Sequence, residues 1–188
     1  MILLVWLLLG GVEPPHSTAI VDNERVVIRD VGAPTPLPIP IGGVNDAVVV
    51  FLADGKVGDV AFEQKGSLLS TRRAIVVELK DRTVAPYPNT SGYPNAFPRP
   101  GSKKVLENAR VVVWDYTWNP GAATPVHFHD KDVVVVYLAD GALTSTTPDH
   151  VSTVNEHFFG FAKFNPGNRV HSEMLSRGGA RAIIIELK

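Results

Sequence analysis

The chain has 188 residues, with 18 Lys+Arg against 19 Asp+Glu, no cysteine, 16 Gly and 15 Pro. That length suits one domain or two small ones, and an apolar share of 45% supports a buried core and argues against global disorder. A formal net charge of −1 without a long basic run argues against a nucleic-acid or polyanion binder, and the missing cysteines exclude disulfides, zinc–thiolate sites, iron–sulfur clusters and cysteine nucleophiles.

Residues 2–9 read ILLVWLLL, followed by Gly10, Gly11 and Val12. This run is too short for an ordinary membrane span, which needs about 20 residues, and has the size of a secretory signal core. Ser17 and Ala19 supply the small side chains that favour cleavage, so residues 1–19 are expected to be a signal peptide and the protein secreted or periplasmic. No basic residue precedes the run; the first is Arg25. A buried N-terminal strand, in a cytoplasmic protein, is the other reading.

Beyond it, strand-like runs dominate: ERVVIRD (24–30), DAVVVFLAD (46–54), RAIVVELKD (73–81), ARVVVWDYTW (109–118), DVVVVYLAD (132–140), FFGFAKF (158–164) and RAIIIELK (181–188). They are short, rich in β-branched residues and separated by turn chemistry, which predicts an antiparallel sandwich or barrel. SKKVLEN (102–108) is a short helical candidate, and TSTTPDHVST (144–153), which holds His150, reads as a polar loop. Two of these runs are repeated. DAVVVFLADG (46–55) matches DVVVVYLADG (132–141) at eight of ten positions, and RAIVVELK (73–80) matches RAIIIELK (181–188) at six of eight. The interval between the blocks is 17 residues in the first copy and 39 in the second, so the first copy is shorter by 22. Between the copies, residues 83–104 hold prolines at 86, 88, 94, 98 and 100 and read as a semi-rigid linker, or as a strap over a barrel mouth. Asn89-Thr90-Ser91 is a glycosylation sequon.

The chemistry sits in the second copy. His127-Phe128-His129 alternates on an expected strand, so both imidazoles point to one face and can converge on one metal ion. A second turn, Phe164-Asn165-Pro166-Gly167-Asn168, leads closely into His171. Trp114 and Trp118 share a strand face and are expected in the core, and His157 is expected at the core or rim. No P-loop, dinucleotide fingerprint, G-x-S-x-G or H-E-x-x-H is present.

In this arrangement residues 107–188 resemble the cupin superfamily. Gly121, His127, His129 and Gly141 fit the spacing of its first motif, and Gly160, Pro166 and His171 that of its second. The resemblance implies an all-β fold, a double-stranded β-helix or jelly-roll barrel, with a shortened second β-module. It places one divalent transition metal (Fe, Zn, Ni, Mn or Cu) on His127, His129 and His171. The family's usual Glu ligand falls at Val133 or Val134, which cannot bind metal; the usual Gly between Pro and His falls at Asn168. Glu173, two residues after His171 and on its face in a regular strand, is the candidate ligand, imidazole-orienting group or catalytic base, unless it faces solvent. Asp132, two residues before Val134, is the other acid that could take such a role, although it is expected to cap a turn. Alignment of the first copy puts Ile41 and Gly43 where the first two histidines stand, so that module is expected to lack a metal site.

The expected organisation is a signal (1–19), a shortened cupin-like module without metal motif (20–82), a proline-rich linker (83–104) and a cupin domain with the histidine site (105–188). The expected partner is a small molecule, with no nucleic acid and no membrane span in the mature protein. The first module completes its own barrel, borrows strands from the second, or pairs across a homodimer. Two functions stay open: a metal-dependent enzyme of the oxygenase or isomerase class, and a non-catalytic exported module that binds a small molecule or sugar.

Overall fold

Both faces of the valine-rich runs are apolar, so each such strand needs a packed layer on either side. A computed structural model, which describes residues 19–31, 39–40, 45–53, 56–65, 69–70 and 72–188, meets this need with stacked antiparallel sheets. Strands are numbered along the chain. The N-terminal layer holds β1 (Ala19–Asp22), β2 (Val26–Val31), β4 (Asp46–Phe51), β5 (Val60–Glu63) and β7 (Ala74–Leu79), in the order β1-β2-β7-β4-β5. The middle layer holds β8 (Lys103–Glu107), β9 (Val111–Thr117), β11 (Val133–Tyr137), β14 (Ala162–Asn165) and β16 (Arg181–Leu187), in the order β14-β11-β16-β9-β8. The third layer holds β10 (His127–His129), β12 (Gly141–Thr146), β13 (Ser152–His157) and β15 (Arg169–Gly178), in the order β10-β15-β12-β13. β3 (Ile39–Pro40) and β6 (Leu69–Ser70) form a separate short pair. No helix occurs among the described residues, and hence none long and apolar enough to cross a membrane.

From β9 onward the chain switches repeatedly between the middle and third layers, which closes them into a jelly-roll barrel. Alternation then sorts the side chains. Trp114, Tyr116, Val133, Val135, Tyr137 and Ile184 fill the barrel. Val111, Val113, Val134, Val136, Ile183 and Ile185 face the other way, against Val26, Ile28, Val48, Val50, Ile75 and Val77 of the N-terminal layer. Each fully buried Val or Ile contributes about 1.5–3 kcal/mol, so this face is a main source of cohesion between the two copies.

The two copies occupy equivalent places. Read from its β5 edge, the N-terminal sheet runs β5-β4-β7-β2-β1; the middle sheet runs β14-β11-β16-β9-β8, with the repeated blocks on β4 and β11 and on β7 and β16. Their packing is reciprocal. A Cβ at Gly160 would lie 3.1 Å from Leu52 and 3.2 Å from Arg73, and one at Gly58 would lie 2.6 Å from Leu138 and 3.2 Å from Arg181, the corresponding residues of the other copy. Arg25 Nη1 pairs with Asp132 Oδ2 at 3.0 Å, while Arg110 Nη1 pairs with Asp46 Oδ2 at 3.3 Å. Each arginine follows an asparagine, Asn23 or Asn108, whose Oδ1 accepts the backbone N–H groups of the next strand. Contacts of this i-to-j and j-to-i kind are those of a two-fold interface, formed here within one chain.

The residues between the copies are built into the barrel. Ala96 N–H donates to Phe128 O at 2.8 Å, Phe128 N–H to Pro94 O at 2.8 Å, and Tyr87 N–H to Asp130 O at 2.7 Å. The segment therefore runs beside the edge strand β10, and Phe97 stacks on Trp114 at 5.3 Å between ring centroids. Gly167 leaves room for this path, since a Cβ there would lie 2.7 Å from the Tyr87 ring. Two local expectations are corrected. The helical candidate 102–108 is strand β8, because the free edge of β9 offers it a ladder that outweighs helix propensity. The polar loop 144–153 is largely a hairpin, with Thr146 opposite Ser152 and His150 at its tip with φ of 64°. Residues 1–18, and Ile41 and Gly43, lie outside the described residues, so the signal and the first copy's histidine-equivalent positions have no structural counterpart here.

Candidate metal centre

β10 is three residues long, and its register against β15 sets His127 opposite His171 and His129 opposite Arg169. Alternation turns His127 and His129 into the barrel and Phe128 outward, where it bonds the 83–102 strap. The turn before β15 is held at two points. Asp132 Oδ1 accepts the Gly167 N–H at 2.7 Å, and Asn168, in the left-handed region with φ of 55°, donates to His129 O at 2.8 Å. Asn168 thus fills the position where the resemblance implied glycine.

The three imidazoles form a nearly equilateral group, with ring centroids 5.0, 4.9 and 5.0 Å apart. One ligand nitrogen from each lies within 4.8 Å of the others. His129 Nε2 and His171 Nε2 are 3.1 Å apart. For donors about 2.1 Å from a common ion, that separation corresponds to an angle of about 95°, which suits a metal. The outer nitrogens are held from behind: His127 Nδ1 donates to Pro125 O at 2.8 Å, and His171 Nδ1 contacts Ser145 Oγ at 2.8 Å. His129 Nδ1 is buried without a partner.

Burial keeps all three histidines neutral, the form that ligates. Desolvation, with the Arg99 charge behind it, pushes His127 down to about 4. His129 is pushed well below its ordinary range by burial and then by its His171 and His127 neighbours, and His171 is lowered by burial against an opposing pull from Glu173. The donor set, three neutral buried imidazoles without thiolate, fits a divalent transition metal.

Glu173 is beside this group. Its Oε1 is 4.0 Å from His171 Nε2, and its Oε2 accepts from Trp118 Nε1 at 3.0 Å and from Arg99 Nη2 at 3.4 Å. Burial pushes its carboxyl up, but Arg99, His171, His127 and the Trp118 N–H together pull it further down, so it is a carboxylate. Asp132 is elsewhere: besides holding the turn, it pairs with Arg25 and makes no contact with the imidazoles. His157 is buried, stacks on Tyr137 at 4.2 Å and bonds Gly179 O through Nε2 at 3.0 Å, which is core packing. His150 is exposed.

Sequence reasoning missed four residues of the site. Arg99 comes from the strap; its guanidinium lies 4.0 Å over the Tyr116 ring and 3.2 Å from His127 Nε2. A cation taking that lone pair would displace this hydrogen bond. Lys163, Arg169 and Tyr137 line the same cavity, whose volume is about 100 Å³. Arg169 was legible by the parity that selected Glu173, since both lie two residues from His171. Arg99 had no such signal, because nothing local says where a proline-rich segment docks.

Comparison with known proteins gives partial matches to this chain. A curated relative, the beta-alanine degradation protein BauB of Pseudomonas aeruginosa, is 42% identical over 59 residues, 31% of this chain. The chain spans 58% of that protein's length. Among solved structures, a cupin domain from Bordetella pertussis is 29% identical, covers 48% of this chain and 97% of its own, and superposes with a TM-score of 0.42. The barrel is an all-β jelly roll, the architecture that the cupin resemblance implies. A RmlC-like cupin of that fold from Methanocaldococcus jannaschii is 14% identical over 57% of this chain and 91% of its own, with a TM-score of 0.38. The polyketide cyclase RemF of Streptomyces resistomycificus is 20% identical over 56% of this chain and 80% of its own, also at 0.38. No protein-family model matches the chain.

Proposed function

We propose that the protein is a metal-dependent cupin enzyme of the oxygenase or isomerase class, acting on a small molecule at a three-histidine site. One observation carries this reading: three imidazoles converge in the barrel with the carboxyl group of Glu173 4.0 Å from one of them. His127, His129 and His171 would hold a divalent ion, which supplies Lewis acidity when bound. Arg99 and Trp118 fix the Glu173 carboxylate by charge and hydrogen bond, so it can take up or return a proton at a substrate atom in the cavity. Phe97, Trp118, Val133 and Ile184 form the apolar part of that cavity's wall, opposite its charged and polar side chains. At about 100 Å³ it is small beside the 300–1,000 Å³ of drug-sized pockets, which restricts the substrate to a few heavy atoms.

BauB, a protein named for small-molecule breakdown, matches over 59 residues, and this supports a catabolic setting as a suggestion. Export is part of the same proposal, and its support is the apolar run at residues 2–9. The second reading, a non-catalytic exported binding module, draws on Val133 and Val134 where the family resemblance implies a carboxylate ligand.

The test is metal identification on the purified protein, followed by oxygen-uptake and product assays with small-molecule panels, for wild type and Glu173→Gln. Turnover that falls about 10²-fold or more in Glu173→Gln with metal content unchanged supports the enzyme. Metal binding without turnover supports the binding module, and absence of metal on the histidines rejects the metal-dependent enzyme.

A further inference from the structure

Two cations in the barrel, Lys163 and Arg169, form no ion pair among the described residues, although Glu173 attracts both and Asp132 attracts Arg169 from farther off. Three cationic side chains line the cavity beside the histidines, Arg99, Lys163 and Arg169, against one carboxylate, Glu173. Arg99 is committed: its guanidinium pairs with Glu173, bonds His127 and lies over Tyr116. Lys163 makes no hydrogen bond or ion pair among the described residues. Arg169 has a hydrogen bond from Nε to Pro166 O at 2.6 Å and no carboxylate partner. Both are partly buried, and burial pushes the Lys163 ammonium below its ordinary range despite the favourable pull of Glu173.

An unpaired cation in a half-dry cavity costs stability, and folded proteins keep such groups mainly where a ligand answers them. The local fold shows that both face inward by design of the pleat. Lys163 and Asn165 alternate with Ala162 and Phe164, which pack on the opposite side toward the N-terminal layer. Lys163 pairs in register with Val135, itself a cavity residue, and Arg169 lies two residues before His171 on the same face of β15. The wall beside them also carries an apolar patch, Val133, Val135, Leu143 and Ile184, next to the uncharged polar Ser145, Asn155 and Asn165. A charged end and an apolar body are therefore required of the same small occupant. An inorganic oxyanion supplies the first and lacks the second.

We propose that this cavity binds a small organic carboxylate, its oxygens held by Lys163 and Arg169 and its carbon chain against the valine and isoleucine wall, next to the three histidines. The role of this carboxylate as a substrate rests on the metal-enzyme reading above. Its binding does not, because neither Lys163 nor Arg169 is a metal ligand.

The experiment uses the full chain, both chelator-treated and zinc-loaded, with propionate as probe followed by calorimetry or NMR titration. Inorganic phosphate and propylamine are the comparison probes, and metal per chain is measured in every sample. Saturable propionate binding is expected in both preparations, weakened about tenfold or more in Lys163→Met and in Arg169→Gln and largely restored in Lys163→Arg. Phosphate and propylamine should bind more weakly than propionate. Chelator-treated Lys163→Met should melt at or above wild type, since it loses an unanswered cation and keeps its volume. That readout separates a binding role from a structural one. Propionate affinity unchanged in both variants, no saturable propionate binding, tighter binding of phosphate, or a destabilised Lys163→Met each overturns the proposal. If wild type takes up no metal while propionate binding still depends on Lys163 and Arg169, the metal reading fails and the carboxylate site stands.

Discussion

The N-terminal sheet and the middle sheet of the barrel are two versions of one design. They share strand order, the repeated blocks, the paired arginine–aspartate contacts and the glycines under the opposing Leu and Arg. They differ in what lies on their far side. The middle sheet is backed by β10, β15, β12 and β13, which carry His127, His129, His171 and Glu173. Among the described residues no second sheet is paired with the N-terminal one, although Ala47, Val49 and Val76 on its other face are buried. The sheet without histidines kept its packing face and contributes burial; the sheet with a second layer behind it gained an interior. The proposed site therefore depends on the layer behind the middle sheet, while the strand sequences shared by the two sheets pack them together.

This contrast makes quantitative predictions. The largest effect is expected at Asp132. Asp132→Ala leaves Arg25 buried and uncompensated, with both side chains under one-tenth exposed, and frees the Gly167 N–H. A loss of about 3–5 kcal/mol in chemical denaturation is expected. A loss below about 1 kcal/mol would show that the two copies are not joined through this pair.

Next come Ile75→Ala and Ile183→Ala, equivalent positions on the two facing sheets and both fully buried. Each is expected to cost about 2–5 kcal/mol, with a single unfolding transition. Two separate transitions, with the barrel unaffected by Ile75→Ala, would mean that the layers are independent.

The third prediction concerns acid. In metal-free protein His127 titrates near 4 when folded and at its ordinary 6.5 when unfolded, so the unfolded chain binds more protons between those values. Stability should be level above about pH 6.5 and fall as pH drops toward 4, by about 1.4 kcal/mol per unit of pKa displacement as an upper bound. His127→Gln should flatten that slope, and an unchanged slope would remove His127 from the explanation. The smallest effect is expected at Arg110→Ala. Its pair with Asp46 is the counterpart of Arg25–Asp132 but about a quarter exposed, so a cost of about 0–1 kcal/mol is expected.

Much of this was legible in the chain. The valine-rich runs became strands β2, β4, β7, β9, β11 and β16 because alternation with two apolar faces leaves few other solutions. The histidine spacing fixed which side chains meet, since a period of two carries His127 and His129 to one face. The hairpin β12–β13 was hidden because its strands are polar on the side away from the cavity, with Thr144, Thr146 and Ser152 resembling loop composition. The pairing of β8 depends on a free edge that no local pattern reveals. Asp132 was read locally as a turn cap, and its second role, the pair with Arg25, spans 107 residues of sequence. Arg99 was invisible for the same reason: its position depends on how the strap docks against β10.

The claim that the closed barrel holds one metal, and the open sheet none, is tested most directly by metal stoichiometry. Full-length protein, reconstituted with a divalent transition metal and desalted, should carry about one ion per chain by elemental analysis, and His171→Ala should carry essentially none while keeping its β-sheet spectrum. Absence of metal in wild type, two ions per chain, or undiminished metal in His171→Ala would contradict it.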